Sequence, residues 1–238
     1  MSKQVVLGLG EVGRAVRRVL EDDGATVYGI DQDISDVPFP DTPKILALHV
    51  CIPYTDGFVA TVKSWQEILQ VPLVIVHSTV KPDTCDPHGW VHSPVNGQHP
   101  YLAEDLLRFR KWFGGVRAEF AAALWPGESR TLSSALLCEL AKVLDTTRYG
   151  WEIVWAKEAA ALCEEYELPW ESVLSLWTND YNAGYHAAGK GRYQRSDLIP
   201  VGGPIGGHCV IPNLGLLPDS FFPAVVIENA NHEYHREG

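Results

Sequence analysis

Two glycine-rich segments contain the residues whose types and spacing could do chemistry. Near the amino end, Gly8, Gly10 and Gly13 form a Gly-x-Gly-x-x-Gly pattern. Towards the carboxyl end, the thiol of Cys209 stands within the sequence GGPIGGHCVIPN. Because glycine lets the backbone approach a ligand closely, the first segment could cradle a phosphate, and the second could present a nucleophilic thiol.

The first glycine pattern lies in the context that a dinucleotide site requires. An apolar run precedes the glycines, an amphipathic segment follows them, and a second apolar run over 26–30 ends at Asp31, 18 residues beyond Gly13. In such a unit the helix amino end faces the pyrophosphate, and the acidic residue accepts hydrogen bonds from the ribose. An acid there disfavours a 2′-phosphate, so the sequence predicts NAD rather than NADP.

The elements that must position these residues alternate along the first half of the chain. We expect strands over 4–9, 26–30, 44–52, 73–77 and 89–92, an edge strand over 108–115, and helices over 14–21 and 56–70. From residue 131 the pattern is helical, with helices over 133–144, 147–166 and 170–181 and loops over 184–191 and 200–218. The predicted class is α/β: an N-terminal Rossmann-type doubly wound parallel sheet over 1–120, then a small all-helical domain over 121–238.

Composition narrows the function classes. The 238 residues are 46% hydrophobic, enough for a buried core, and carry a formal net charge of −11, which disfavours nucleic acid and anionic membrane surfaces as partners. The start of the chain lacks a signal-peptide pattern, and no apolar run is long enough to span a membrane. Five scattered cysteines differ from a disulfide framework. We therefore expect a cytoplasmic protein that acts on a small molecule.

Several motifs, in order and spacing, resemble the NAD-dependent nucleotide-sugar 6-dehydrogenases, the UDP-glucose/GDP-mannose dehydrogenase family. They are GLGEVG with Asp31, HVCIPY, HSTVKPDT, Lys142 ahead of the long central helix, and GGPIGGHCVIPN, whose GGHC form is closest to the UDP-N-acetylmannosamine branch. The resemblance implies NAD as cofactor, a 6-phosphogluconate dehydrogenase-like helical domain, and a homodimer formed through the helix over 147–166.

The resemblance also implies catalytic roles. Cys209 would attack the aldehyde formed by a first hydride transfer, and the resulting thiohemiacetal would be oxidised to a thioester that water hydrolyses to a carboxylate. Lys142 would stabilise the oxyanion, and Thr79 would hold the reacting hydroxyl or the water. The alternatives are a small buried cysteine, a solvated lysine and a threonine that caps a turn.

The complete set of expected site residues follows from the same motifs. Cofactor contacts are expected from Gly8, Gly10, Glu11, Val12, Gly13, Asp31, Pro53, Ser78 and Thr79. Catalysis is expected from Cys209, Lys142, Thr79 and Asn213, and substrate contacts from Gly206, Gly207, His208, Arg192 and Arg195. Lys190 and the two arginines could instead form a solvated basic loop. Cys85, His88, His92 and His99 match no standard zinc spacing, so no metal is expected.

Three polar positions depart from the family pattern. Asn213 stands where the family has a carboxylate, Thr146 where it has an asparagine, and Val95 where it has a glutamate. An amide cannot act as a general base, so these changes put the four-electron oxidation in question more than they affect NAD binding.

The end of the chain leaves the substrate open. Family members carry a further nucleotide-binding domain beyond a connecting helix, and residues 221–236 could begin such a helix where this chain stops. The substrate is therefore expected to be a sugar nucleotide or a smaller hydroxy compound. Two other functions remain open: a two-electron β-hydroxyacid-type dehydrogenase that uses Lys142, and a non-catalytic NAD-binding protein.

Overall fold

The computed structural model describes residues 2–38, 44–98, 100–206 and 209–237. Three residues considered above, His99, Gly207 and His208, lie outside the described residues. The chain divides into two compact units, Met1–Val143 and Leu144–Gly238. No helix in the described ranges is long and apolar enough to cross a lipid bilayer.

The described part of the first unit contains one sheet of eight strands. They are β1 (Lys3–Leu7), β2 (Thr26–Asp31), β3 (Ile34–Ser35), β4 (Ala47–Val50), β5 (Leu73–Val76), β6 (Val91–His92), β7 (Lys111–Gly114) and β8 (Ser129–Leu132). Their spatial order is β3-β2-β1-β4-β5-β6-β7-β8. The pairs are parallel except β2 with β3 and β6 with β7.

Helices bury both faces of this sheet. They are α1 (Glu11–Asp22), α2 (Phe58–Leu69), α3 (Leu102–Arg108) and α4 (Ala118–Ala122), with a short 3-10 helix at Asp86–His88. Alternation along β1 shows the two layers: Val5 packs in the cluster with Phe58 of α2, whereas Val6 packs with Val16 of α1. A parallel strand covered on both faces must be apolar throughout, as β1, β4 and β5 nearly are. The predicted doubly wound α/β class is confirmed.

The second unit is helical in its described part. It comprises the later turns of α5 (Ala135–Glu165), a π-helical turn at Glu171–Ser175, α6 (Leu176–Ala187), a 3-10 turn at Gly191–Tyr193, α7 (Val210–Leu214) and α8 (Phe222–Glu237). Gly150 lets these helices approach closely, because a Cβ there would lie 2.5 Å from Val210 Cγ1 and 3.2 Å from Ile227 Cδ1.

The structure corrects three details of the predicted layout. The helices expected over 133–144 and 147–166 are one helix, α5, because Thr146 and Thr147 are buried and packing overrides their weak helix propensity. The loop expected from residue 184 begins later, since α6 continues to Ala187.

The third correction concerns the edge of the sheet. The strand expected at the edge, β7, is instead paired in parallel with β8, whose sequence SRTL is largely exposed and carries little apolar signal. β8 lies in the sheet, and the first compact unit extends to Val143. The division into a cofactor domain over 1–120 and a helical domain over 121–238 stays a prediction.

Candidate functional site

The carboxyl ends of β1 and β4 form the point where the strand order reverses. From β1 the chain moves to β2 and β3 on one side, and then to β4, β5 and β6 on the other. Open parallel sheets bind ligands at such a switch point, beyond the carboxyl ends of the strands. The predicted cofactor residues after β1, β4 and β5, namely Gly8–Gly13, Pro53 and Ser78–Thr79, follow strands at this end of the sheet.

The three glycines of the Gly-x-Gly-x-x-Gly pattern have different surroundings in the structure. Gly8 has φ +93°, and a Cβ there would lie 2.8 Å from the carbonyl carbon of Cys51. A Cβ on Gly13 would lie 1.7 Å from Gly8 O, so this glycine is needed for α1 to pack on the turn. At Gly10 a Cβ would meet nothing within 4 Å. The fold itself therefore does not require a glycine at Gly10, whose position at the start of α1 is open for a ligand.

The Asp31 carboxylate is fixed beside the glycine turn. Its Oδ2 accepts a hydrogen bond from the Leu9 amide at 2.7 Å, and its Oδ1 accepts one from the Gln32 amide at 2.8 Å. These bonds, with the nearby Arg14 charge, lower the pKa of Asp31. The side chain is thus ionised at neutral pH, and its remaining lone pairs can accept hydrogen bonds from ribose hydroxyl groups.

The ends of β4 and β5 are tied together next to the glycine turn. The Ser78 hydroxyl donates to Ile52 O at 2.6 Å, and Thr79 follows it in a half-buried position. Pro53, also predicted to touch the cofactor, is exposed. Burial raises the pKa of the neighbouring Cys51 thiol to about 12, which keeps that thiol protonated.

Lys142 lies on α5, whose first turns are anchored to the loop after β5. The Asp86 carboxylate caps the helix, accepting bonds from the Ser134 hydroxyl and from the Ala135 amide at 2.8 Å. Burial opposes ionisation of Asp86, but these hydrogen bonds outweigh it and lower its pKa. One turn later, the carboxylate of the fully buried Glu139 accepts hydrogen bonds from the backbone amides of Asp83, at 2.7 Å, and Cys85, at 2.8 Å.

This anchoring places Lys142 against the loop after β6. Lys142 is half-buried, and its Nζ donates to Asn96 Oδ1 at 3.3 Å. Asn96 is one residue beyond Val95, the position where the family pattern has a glutamate. The lysine therefore has an amide neighbour here, and Val95 packs against the apolar cluster below. A lysine next to a neutral acceptor can serve as a cation for a developing oxyanion.

A buried row of polar side chains beneath this loop was not predicted from the sequence. Gln4 Oε1 lies 2.7 Å from His49 Nε2, His49 Nδ1 lies 2.9 Å from His77 Nε2, and His77 Nδ1 lies 3.0 Å from Ser93 O. Lys111 Nζ donates to the same Ser93 O at 2.9 Å. Two features of the sequence could have revealed the row: His49 lies within an apolar strand, and Lys111 is the first residue of another strand.

Burial sets the protonation of this row. Desolvation, with the Lys111 charge second, lowers the pKa of His49 to about 3 and that of His77 well below its usual value. Desolvation also lowers the pKa of Lys111 to about 7. Desolvation therefore favours the neutral forms of both histidines and of Lys111.

The loop that precedes Cys209 is anchored within the second unit. Lys157 of α5 donates to Val201 O and, at 2.6 Å, to Gly203 O. Asn231 of α8 accepts the Ile205 amide at 2.7 Å. Cys209 follows in an exposed position directly before α7, which differs from the alternative of a small buried cysteine.

The other predicted residues of the second unit are distributed as follows. Gly206 is exposed, Asn213 is buried on α7, and Arg192 and Arg195 are exposed over the rings of Tyr193 and Tyr181, at 4.7 and 5.0 Å. The convergence of Cys209 with Lys142 and Thr79, which belong to the first unit, stays a prediction. Of the metal candidates, Cys85 and His92 are buried, and His88 packs on Trp90. The described residues contain no group of three potential ligands that could hold a metal ion.

Comparison with known proteins identifies the architecture. No family model and no curated protein sequence matches this chain. The UDP-D-ManNAc dehydrogenase from Pyrococcus horikoshii matches in structure with a TM-score of 0.75 at 18% identity, over 98% of this chain and 68% of that chain. A UDP-glucose dehydrogenase from Pyrobaculum islandicum gives 0.70 at 17% identity, over 100% and 68%. The chain has the fold of these dehydrogenases.

A shorter enzyme shares the same fold. The Mycobacterium tuberculosis 3-hydroxyisobutyrate dehydrogenase matches with a TM-score of 0.64 at 18% identity, over 100% of this chain and 94% of that chain. The resemblance to nucleotide-sugar dehydrogenases is thus confirmed at the level of the fold. The chain spans about two thirds of the length of those longer structures and nearly the whole length of the shorter one.

Proposed function

We propose that this protein is an NAD-dependent dehydrogenase that oxidises a CH–OH group of a small-molecule substrate. The observation that carries the proposal is the glycine turn at the switch point of the sheet. There Gly8 and Gly13 are required by packing, but Gly10 is surrounded by space that the protein leaves open. Gly10 combines this open space with a helix amino end at the switch point and with the fixed Asp31 carboxylate beside the same turn, which is the arrangement of a dinucleotide site.

The residues present fit the dinucleotide. The open face of Gly10 and the amino end of α1 would receive the pyrophosphate, and the ionised Asp31 would accept the ribose hydroxyl groups. Ser78 and Thr79, at the end of β5, would border the nicotinamide half. When bound, NAD accepts a hydride from the alcohol carbon. The negative charge of Asp31 opposes a 2′-phosphate, which favours NAD over NADP.

The finer proposal is a four-electron oxidation through Cys209. After the alcohol has been oxidised to an aldehyde, the thiol adds to the carbonyl carbon and gives a thiohemiacetal. Loss of a hydride to a second NAD and of a proton gives a thioester, and water then releases the carboxylate and restores the thiol. The exposure of Cys209 on an anchored loop supports this role, as does the position of Lys142 beside Asn96.

A two-electron oxidation of a hydroxyacid is the second candidate. The nearly complete alignment with 3-hydroxyisobutyrate dehydrogenase favours it, and so does Asn213, which cannot act as the general base that the thioester route calls for. In this case Lys142 would polarise or deprotonate the alcohol, and Cys209 would not take part in the chemistry.

Cofactor binding by calorimetry is the first test. Gly10→Ala should weaken NADH binding at least tenfold without loss of stability, because its methyl group occupies ligand space. Gly57→Ala is the matched control, since Gly57 precedes α2 and its Cβ would also meet nothing within 4 Å. Equal NADH affinity in Gly10→Ala and wild type would contradict the proposed cofactor site.

Turnover and stoichiometry separate the functions. NADH formation at 340 nm is screened across UDP-sugars and small hydroxyacids, and the NADH formed per substrate consumed is counted. Two NADH with loss of carboxylate production in Cys209→Ser indicate the thioester route, whereas one NADH with full activity in Cys209→Ser indicates the hydroxyacid route. NADH binding with no turnover on any substrate would indicate a non-catalytic NAD-binding protein.

We also propose a homodimer formed through the second unit. Trp155, Tyr166 and Trp177 of this unit have exposed side chains, with Trp177 at 70% of its maximal exposure. Exposed aromatic side chains are typical of a surface that another chain covers. The five unpaired cysteines suit a reducing cytoplasm. Light scattering tests the dimer, and the mass of a single chain would contradict it.

A further inference from the structure

The buried polar row lies on one face of the sheet. The apolar residues two positions along the chain from Gln4, His49 and His77 all belong to the cluster that α1 and α3 cover. The same is true of the residue two positions beyond Lys111 on β7. Because side chains alternate along a strand, all four point to that layer. Lys111 is only 4% exposed, and its Nζ also lies 5.6 Å from the centre of the Trp125 ring.

Stability does not explain a lysine in this position. A buried ammonium group loses its hydration, and no carboxylate pairs with Lys111 among the described residues. The other titratable groups that interact with Lys111 are Cys51 after β4, and Cys138 and Lys142 of α5. Three buried histidines also interact with it, namely His49, His77 and His92. A methionine would fill similar space without the desolvation cost, so the amine has another use.

The two carbonyl groups that Lys111 holds begin the loop that contacts Lys142. Lys111 Nζ donates to Ser93 O and to Pro94 O, each at 2.9 Å, and His77 also bonds to Ser93 O. The far end of the loop is fixed at Gln98, whose amide donates to the buried Asp105 carboxylate at 3.0 Å. Asn96 lies between these two anchors.

We propose that Lys111 is a positioning residue of the candidate site: by holding Ser93 and Pro94 it presents Asn96 to Lys142. This inference rests on the dehydrogenase function proposed above. The bond between Lys111 and Ser93 O also fixes His77, since a neutral His77 must donate from Nδ1 to that carbonyl oxygen. Lys111 thus connects the end of β5, where Ser78 and Thr79 follow His77, to the loop that faces Lys142.

Two variants of Lys111 and one neighbour test the proposal. Lys111→Met removes the amine, and Lys111→Arg keeps a cation that can donate to both carbonyl groups. Arg110→Met is the matched control, because Arg110 is the preceding residue and its exposed side chain pairs with Glu128 at 2.9 Å. Circular dichroism establishes that each variant is folded before it is assayed.

In kinetics, Lys111→Met should lower kcat about 10- to 100-fold, since a misplacement of about 1 Å at a reacting group has an effect of this size. NADH affinity should change much less than kcat, because the glycine turn and Asp31, which would hold the pyrophosphate and the ribose, follow β1 and end β2, away from Lys111. Lys111→Arg should restore part of kcat, and Arg110→Met should match wild type. In the Asn96→Ala background, Lys111→Met should cause little further loss, because both substitutions remove the same contact with Lys142.

A second readout does not depend on turnover. In lysine-labelled protein, NMR follows the titration of Lys111, and Lys142→Met should raise the pKa of Lys111 above about 7 because it removes a neighbouring positive charge. If no substrate is turned over by wild type, the proposed function fails, and this titration still decides whether the two lysines are coupled. The positioning role is overturned by losses of kcat that are multiplicative in the double variant. It is also overturned if the NMR signal of the Asn96 side-chain amide is the same in Lys111→Met, in Arg110→Met and in wild type.

Discussion

The protonation of Lys111 predicts how stability depends on pH. Burial lowers the pKa of its amine from 10.5 to about 7 in the folded protein, whereas the unfolded chain keeps the usual value. Between these values the unfolded state binds more protons than the folded state. The free energy of unfolding therefore rises with pH in this window, and the destabilisation is fully present only below about pH 7.

The size of the effect follows from the shift. Each pH unit in the window contributes about 1.4 kcal/mol, and because Lys111 is half-charged near pH 7, the gain from pH 7 to pH 9 is about 2 kcal/mol. Lys111→Met abolishes this gain. The variant also leaves Pro94 O without its donor, at a cost of about 1–3 kcal/mol, but that cost does not depend on pH.

Other buried groups titrate outside the chosen range. Desolvation lowers the pKa of His49 and His92 to about 3, so their contribution to stability is lost only as the pH falls below 6.5. Burial raises the pKa of Cys51 and Cys138 from 9.0 to about 12, so their contribution begins to be lost as the pH approaches 9; this loss comes from ionisation of the unfolded chain and is the same in wild type and in Lys111→Met. From pH 7 to pH 9 the difference between wild type and Lys111→Met thus isolates one amine.

Urea unfolding at pH 7, 8 and 9, followed by circular dichroism, measures this difference. The free energy of unfolding of wild type should rise by about 2 kcal/mol relative to Lys111→Met across the series. Arg110→Met, which changes the adjacent exposed cation, should run parallel to wild type. If the curves of wild type and Lys111→Met are parallel, the buried amine does not carry the depressed pKa, and the reasoning is refuted.

Three further predictions concern the helices and the cofactor. Gly150→Ala should lower stability by about 1–3 kcal/mol and change the rate at which a disulfide reagent labels Cys209, whereas Gly184→Ala, whose Cβ would meet nothing within 4 Å, should do neither. Asp86→Ala removes the cap of α5 and should lower the free energy of unfolding in urea by about 1–2 kcal/mol; an unchanged midpoint would contradict the cap. Asp31→Asn should reduce the preference for NADH over NADPH about tenfold in calorimetry, and an unchanged ratio would contradict its role at the ribose.

The cofactor half of the site could be predicted from the sequence because its determinants are local. Gly8, Gly10 and Gly13 fall within one strand, one turn and one helix, and Asp31 ends the next strand. Gly8 and Gly13 are required by close contacts within the turn, and Asp31 bonds to the amide of Leu9 in the same turn. The local sequence pattern is therefore sufficient to predict this turn.

The misread elements are those in which local signals conflict with packing. At 145–147 the polar Asp-Thr-Thr sequence suggests a helix end, yet α5 continues because Thr146 and Thr147 are buried. At 129–132 the polar sequence SRTL carries no strand pattern, and a helical pattern was expected from residue 131, yet the segment gains the backbone hydrogen bonds of a strand by pairing with β7. In both places tertiary contacts, which the local sequence does not contain, decide the structure.

The buried row was missed for a related reason. Its members come from five separate segments of the chain, and taken alone each has an ordinary explanation, such as a histidine within a strand or a lysine in an edge strand. Only the register of β1, β4 and β5 brings them to one face. A row of buried polar groups lowers stability wherever it is not fully bonded, so its position directly beneath the Ser93–Asn96 loop is evidence for a role in holding that loop. The polar groups beneath the Ser93–Asn96 loop are therefore distributed along the sequence, whereas the glycine turn and Asp31 fall within residues 8–31.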